Sequence, residues 1–229
     1  MKLTWFGHAA FRVETGVNVI LIDPFLKGNP TFEASGLAWD DAVAGTTHVV
    51  LTHGHDDHIG DAAEIATKFD ATLFAVYELA LHMGAKGVEK LEPMGQGGTV
   101  DAAGFTVTMT HAEHSSSSGG TYLGTACGAI ITPEDGPSLY HMGDTDVFPA
   151  MELIDTLYQP DVGIVPVGDR FTMGGRTAAY ACKTYFNFKS IIPCHFGTFP
   201  IIEPNADKFV AEMSGHNVLV PKIGEAMEI

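Results

Sequence analysis

Residues 48–61 read HVVLTHGHDDHIGD: an apolar run that stops at Thr52, followed within six positions by His53, His55, Asp57 and His58. A continuous apolar run of this kind predicts a buried strand, which places the polar residues on the tight connection at its carboxyl end. Along a strand these four side chains would alternate between faces, whereas on a tight loop they converge on a small volume. Imidazole and carboxylate are the donors that suit zinc, iron and manganese. At this chain's His and Asp content the pattern HxHxDH arises by chance about 0.002 times, so the stretch predicts a metal centre and not a solvated loop.

Upstream, KLTWFG, AFRVET and VNVILID are short β-rich runs separated by His8-Ala9 and by Gly16, which predicts an antiparallel meander ending at Asp23-Pro24. Residues 24–46, with Gly and Pro among Phe25, Phe32 and Trp39, read as an irregular segment and a candidate substrate loop. Downstream, helices are expected over Ala62–Lys68 and Glu78–Gly84, with the strand ATLFAV between them. The second half predicts strands near 98–102, 104–111, 121–132 and 138–142, then a helix over Phe148–Leu157 and the strand VGIVPV. A helix over Arg176–Phe188, the strand SIIPCH, a helix over Asn205–Met213 and strands near 217–220 and 226–229 complete it. Strands in runs with helices between some of them suit an α/β four-layer αββα sandwich best, with a Rossmann-like sheet second. Neither half reads as self-sufficient, so one domain over 1–229 is expected.

Further donors stand at the ends of later β-like segments: His114 in TMTHAEHSSSS, Asp144 in SLYHMGDTD and His195 in SIIPCHFGTFP. Each is unremarkable alone; beside the loop motif they predict a closed centre built from several strands. Asp23 reads either as a hydrogen-bond partner that fixes a ligand histidine's tautomer or as a turn-forming residue before Pro24. Arg170, in GDRFTMGG, reads either as a planar fork for a carboxylate or phosphate or as a solvated arginine in a turn. His111 and His141, offset from these donors along strands, read as structural, and Thr198-Phe199-Pro200 as pocket wall.

Composition narrows the class. At 229 residues, 45% hydrophobic and a mean hydropathy of +0.13, the chain supports a sizeable core. Twelve Lys plus Arg against 28 Asp plus Glu leave a net charge of −16, which repels a polyphosphate backbone, so nucleic acid is not an expected partner. Cys127, Cys182 and Cys194 form no CxxC pair and suit a reducing compartment. Neither a signal peptide nor a spanning apolar stretch is visible, so no membrane association is expected and the cytoplasm is the expected location. Homo-oligomerisation is left open, with the apolar residues of 24–46 as one surface for it.

Together WFGHAAF, ILIDPF, THGHDDHIGD, HAEHSSS, HMGDTDVF, PVGDRFTMG and PCHFGTFP resemble the metallo-β-lactamase superfamily nearly end to end. Within it the chain is similar to short bacterial metal-dependent hydrolases akin to ascorbate-6-phosphate lactonase. The resemblance implies the αββα fold and one or two divalent ions, zinc first, with manganese or iron as alternatives. It implies that His53, His55 and His114 hold one ion, that Asp57, His58 and His195 hold the second, and that Asp144 bridges them. His8 matches a histidine of the subgroup and is expected near the pocket. The implied activity is hydrolysis of a small ester, lactone or phosphodiester by metal-activated water, with Asp57 or Asp144 orienting the water or receiving its proton. Two other readings compete with it: an iron-dependent, persulfide-type oxidoreductase on the same fold, and a metal-stabilised binding module. The absent export signal argues against a periplasmic lactamase.

Overall fold

A computed structural model describes residues 1–229. The meander forms as expected: β1 (Lys2–Trp5), β2 (Phe11–Thr15) and β3 (Asn18–Ile22) pair antiparallel in sequence. Next come β4 (His48–Val50), β5 (Thr72–Val76) and β6 (Leu91–Met94), each parallel to its predecessor. The terminal strand β15 (Ala226–Glu228) adds to β1, closing a seven-stranded sheet of order β15-β1-β2-β3-β4-β5-β6.

The second sheet has six strands, β14-β13-β12-β11-β8-β7. Here β7 (Thr99–Ala102), β8 (Phe105–His111), β11 (Cys127–Pro133) and β12 (Leu139–His141) are antiparallel. The strands β13 (Val162–Pro166) and β14 (Ser190–Cys194) then continue in parallel. The helices α4 (Ala62–Phe69) and α5 (Tyr77–Ala85) pack on the first sheet. The helices α6 (Met151–Tyr158), α7 (Gly175–Tyr185) and α8 (Asp207–Glu212) pack on one another beside the second. One cluster of 60 buried apolar residues runs through both sheets and their helices, which makes the αββα sandwich a continuous core. No helix is long and apolar enough to cross a membrane.

Local chemistry explains the departures from expectation. Residues 24–46 are not wholly irregular: they contain α1 (Pro30–Ser35) and α2 (Trp39–Val43). The Asn29 side chain accepts from the backbone N–H groups of Thr31 and Phe32, Pro30 occupies the first turn, and Gly36 closes α1 at φ 74°. Phe32 is consequently core, not a substrate contact. The strand β6, unexpected from LEPM, carries Pro93 and lies at a sheet edge, where a missing N–H is tolerated. The stretch expected as one strand over 121–132 is interrupted: β9 (Ser117–Ser118) and β10 (Thr121–Tyr122) form a small ribbon, and β11 begins only at Cys127. Gly124 makes the turn between them, at φ 87°. Near 217–220 there is only a bridge between Val218 and Ile191. Within the histidine-rich connection Asp56–Ile59 form one helical turn, α3, which sets Asp57 and His58 side by side.

Candidate metal centre

Parallel strands deliver the donors at their carboxyl ends, where open α/β sheets place their sites. Asp23 follows β3, the His53–His58 turn follows β4, Asp144 follows β12 and His195 follows β14, with His114 just beyond β8. Two sets of donor atoms each lie within 4.8 Å of one another: His53, His55 and His114 in one, and His8, Asp57, His58 and His195 in the other. The Asp144 carboxylate touches both sets, 3.3 Å from His58 Nε2, 3.0 Å from His195 Nε2 and 3.6 Å from His114 Nε2.

Outer hydrogen bonds decide which way each ring presents its lone pair. Asp23 is fully buried; its carboxylate accepts from the Thr52 N–H at 2.8 Å, the Thr52 hydroxyl at 2.6 Å and His58 Nδ1 at 2.8 Å. With its proton given to Asp23, the Thr52 hydroxyl accepts from His53 Nδ1 at 3.0 Å. One carboxylate thereby fixes two rings so that both Nε2 atoms face the centre. On His55, Nε2 lies 3.2 Å from the Ser115 hydroxyl, an acceptor that turns Nδ1 inward. That Nδ1 lies 3.0 Å from His53 Nε2 and 3.3 Å from His114 Nε2, three lone-pair nitrogens converging on one point. Among buried side-chain atoms without a hydrogen-bond partner are His58 Nε2, Asp144 Oδ1 and both His195 ring nitrogens. Buried donors and acceptors are ordinarily paired, so this concentration of unpaired atoms fits metal ligands.

His8 extends the arrangement. Its buried ring donates from Nε2 to Asp57 Oδ2 at 3.0 Å and accepts at Nδ1 from the Thr198 hydroxyl at 3.1 Å. Its carbonyl accepts from Trp5 Nε1 and from the His195 N–H, both at 2.9 Å. The residue therefore braces Asp57 with its ring and His195 with its backbone. His8, Asp23 and His195 are three of the seven non-glycine residues with positive φ, a conformation that persists where surrounding contacts over-determine it.

Thr198, read as pocket wall, is the outer end of this chain of hydrogen bonds. Thr198→Val is expected to release the His8 ring and weaken metal binding by the Asp57 set about tenfold, at the low end for outer-shell partners. Thr198→Ser should restore it. Competition with a chromogenic chelator measures both, and unchanged affinity in the valine variant refutes the bracing role.

The field inside the centre is uneven. Burial opposes charge on His58, yet Asp144 and Asp23 on either side hold its pKa well above the usual imidazole range. A protein that stabilises positive charge at that point also favours a cation there. Burial also opposes ionisation of Asp144, but facing His195 and His58 hold its carboxyl well below the usual range. Burial lowers His53 strongly and His8 to about 4, with neighbouring rings adding to the effect.

These shifts predict a stability maximum near neutrality for the metal-free protein. His8 binds its proton more weakly folded than unfolded, so its contribution is complete above pH 6.5 and is lost as pH falls from 6.5 towards 4. His53, also depressed, acts in the same direction. His58 is raised, so its contribution is complete below 6.5 and is lost as pH rises through its folded value. Thermal unfolding after chelation should show the melting temperature falling on both sides of about pH 6.5 to 7, the window these shifts define. A melting temperature that rises steadily towards pH 4 contradicts the assignment.

Arg170 is not brought to the donors: its exposed guanidinium lies 5.7 Å from the Phe171 ring centre. His141 is buried and structural, its Nε2 donating to Ala9 O and its Nδ1 accepting from the Gly143 N–H. His111 is exposed beside Gln96 and Glu113. Phe25 and Phe199 stack 6.4 Å apart over His8 and give the second donor set an aromatic wall. All three cysteines are free and buried. Burial pushes Cys127 and Cys182 up to about 12 and Cys194 well above the usual thiol range, so none is poised as a nucleophile.

Histidine and aspartate side chains gathered at the strand ends of an αββα sandwich point to the class of metallo-β-lactamase fold hydrolases. A family model described as the beta-lactamase superfamily domain matches residues 2–195. A UPF0173 metal-dependent hydrolase of Brucella abortus is 54% identical over 221 residues, 94% of this chain and 92% of that one. The solved structure of Igni18, a metallo hydrolase from Ignicoccus hospitalis, superposes with a TM-score of 0.87 at 34% identity, covering 100% of this chain and 98% of the other. The chain belongs to the UPF0173 metal-dependent hydrolases of the β-lactamase superfamily.

Proposed function

We propose that the protein hydrolyses a small ester, lactone or phosphodiester at a centre of two divalent ions, zinc first, in a reducing compartment such as the cytoplasm. His53, His55 and His114 would hold one ion and Asp57, His58 and His195 the other, with Asp144 shared by the two donor sets. The observation that carries this is the set of buried polar atoms without a hydrogen-bond partner at His58, Asp144 and His195. A bound dication supplies a water acidified towards neutrality and polarises the substrate's carbonyl or phosphoryl oxygen.

The chain's own residues supply orientation. Asp57, one-third exposed and held through Oδ2 by His8, is the carboxylate open to solvent. In this reading it orients the attacking water. Asp144, almost wholly buried and ionised between His58 and His195, fixes the donors. With the thiols protonated and Ser115 engaged by His55, no side-chain nucleophile is required. The test is hydrolysis of a lactone, phosphodiester and thioester panel before chelation, after it, and after separate return of zinc, manganese and iron. Chelator-sensitive turnover restored by one of these metals is expected. Turnover indifferent to chelation, or none on the panel with metal loaded, overturns the reading.

A further inference from the structure

The ribbon of β9 and β10 belongs to neither large sheet and pairs only with itself. It nevertheless lies along the histidine-rich connection after β4, bonded to three consecutive residues there. Ser116 Oγ accepts from the Gly54 N–H at 3.0 Å, Ser115 Oγ lies 3.2 Å from His55 Nε2, and Ser118 Oγ donates to Asp56 Oδ1 at 2.6 Å. Ser116 is buried, and its hydroxyl donates onward to Leu123 O at 3.3 Å. The Leu123 N–H returns to Ser116 O at 3.0 Å and closes the base of the ribbon. Leu123 is itself buried against Gly54, where a Cβ would stand 2.7 Å from its side chain. Alternate residues of an extended chain face opposite sides, so Ser116 and Ser118 face the connection and Ser117 faces away.

The two donor sets are therefore held by different means. His58 is fixed from behind by buried Asp23, His53 by buried Thr52 and Asp57 by buried His8. His55 has no such support from the core: its outward nitrogen meets Ser115, and its neighbours on either side are held by Ser116 and Ser118. Outer partners of a metal ligand set its orientation and its affinity. We infer that the ribbon is a clamp that positions His55, so that the His53, His55 and His114 site depends on Ser115 and Ser116 while the Asp57, His58 and His195 site does not. Both serines are positioning residues, acting on the ion through His55. The inference rests on the metal-centre reading above for the ions, but not for the clamp.

The test has two arms so that the clamp and the metal centre fail separately. In the first, His195→Ala leaves the His53, His55 and His114 set intact and His114→Ala leaves the other, and cobalt is titrated into each after chelation, with and without Ser115→Ala. Affinity should fall about tenfold in the His195→Ala background and stay unchanged in the His114→Ala background. Ser115→Thr, which keeps the hydroxyl, should restore it, and Ser117→Ala should have no effect in either. Ser115 is exposed, so its variants should fold, as circular dichroism would verify. The second arm needs no metal: amide hydrogen exchange at Gly54, followed by NMR in chelated protein. It should be about tenfold faster in Ser116→Ala, because that buried N–H loses its acceptor. An equal fall of affinity in both backgrounds, or none in the first, overturns the inference, as does unchanged exchange at Gly54. If wild type takes up no cobalt, the metal-centre reading fails and exchange at Gly54 decides the clamp.

Discussion

Asp144→Ala is expected to lower kcat/KM by more than ~100-fold and to weaken metal binding at both donor sets. Losing an outer partner of a metal ligand typically costs 10–100-fold, and Asp144 is more central than that. It lies within 3.6 Å of His58, His114 and His195, so its removal takes a carboxylate from the junction of the two sets. It also leaves His58 with Asp23 as its remaining carboxylate partner, a loss of compensation inside a buried cluster. Asp144→Asn preserves shape without charge and separates the two effects. It should fold like wild type and still lose activity, as read by circular dichroism beside hydrolysis and bound metal. Wild-type turnover in both variants would remove Asp144 from the centre.

Gly168→Ala is the second change with a large expected effect, and it acts through the backbone. A Cβ at this position would meet His195 O at 1.9 Å and His195 Nδ1 at 2.8 Å, and the first contact is with main chain that cannot rotate away. Val167 N–H donates to Cys194 O and Glu203 N–H to Gly168 O, so the segment is held on both sides of the clash. Overpacking costs ~1–3 kcal/mol or somewhat more, and this contact belongs at the upper end. For a chain of this size that lowers the melting temperature by about 6–12 °C. The relief available is displacement of His195, and ~1 Å of misplacement is enough to cost ~100-fold in rate. Calorimetry with kinetics on Gly168→Ala checks both; a variant within 2 °C and twofold of wild type would show that this close approach is unimportant.

The legible part of the centre was the part carried by residue type. Histidine and aspartate in HxHxDH, and at the ends of β8, β12 and β14, stand out because few other roles need them in that density. Asp23 before Pro24 was also legible, since a buried strand ends there beside the motif. What was not legible depends on which side chains meet across the fold. Thr198 is an ordinary threonine until His8, 190 positions away in sequence, turns its Nδ1 towards it. Ser115 and Ser116 carry no signal until the β9–β10 ribbon brings them onto His55 and Gly54. Arg170 shows the converse: an attractive residue type in a glycine-rich turn whose side chain lies over Phe171, not against the donors.

The fold shows the same division. The apolar runs of β3, β4, β5 and β13 were readable because burial on both faces leaves an unbroken pattern. The edge strand β6 was not, because Pro93 is permitted there only by its position in the finished sheet. Short α1 was hidden in a segment rich in Gly and Pro, although Asn29, Pro30 and Gly36 are the residues that start and stop a helix.

The central claim is that two facing donor sets hold metal, and the most direct measurement is elemental analysis of protein purified without chelator and then loaded with zinc, manganese or iron. Wild type should carry about two equivalents of one of these metals, and His53→Ala or His195→Ala about one less. Protein that carries no metal after every loading, or variants with the wild-type content, would contradict the account.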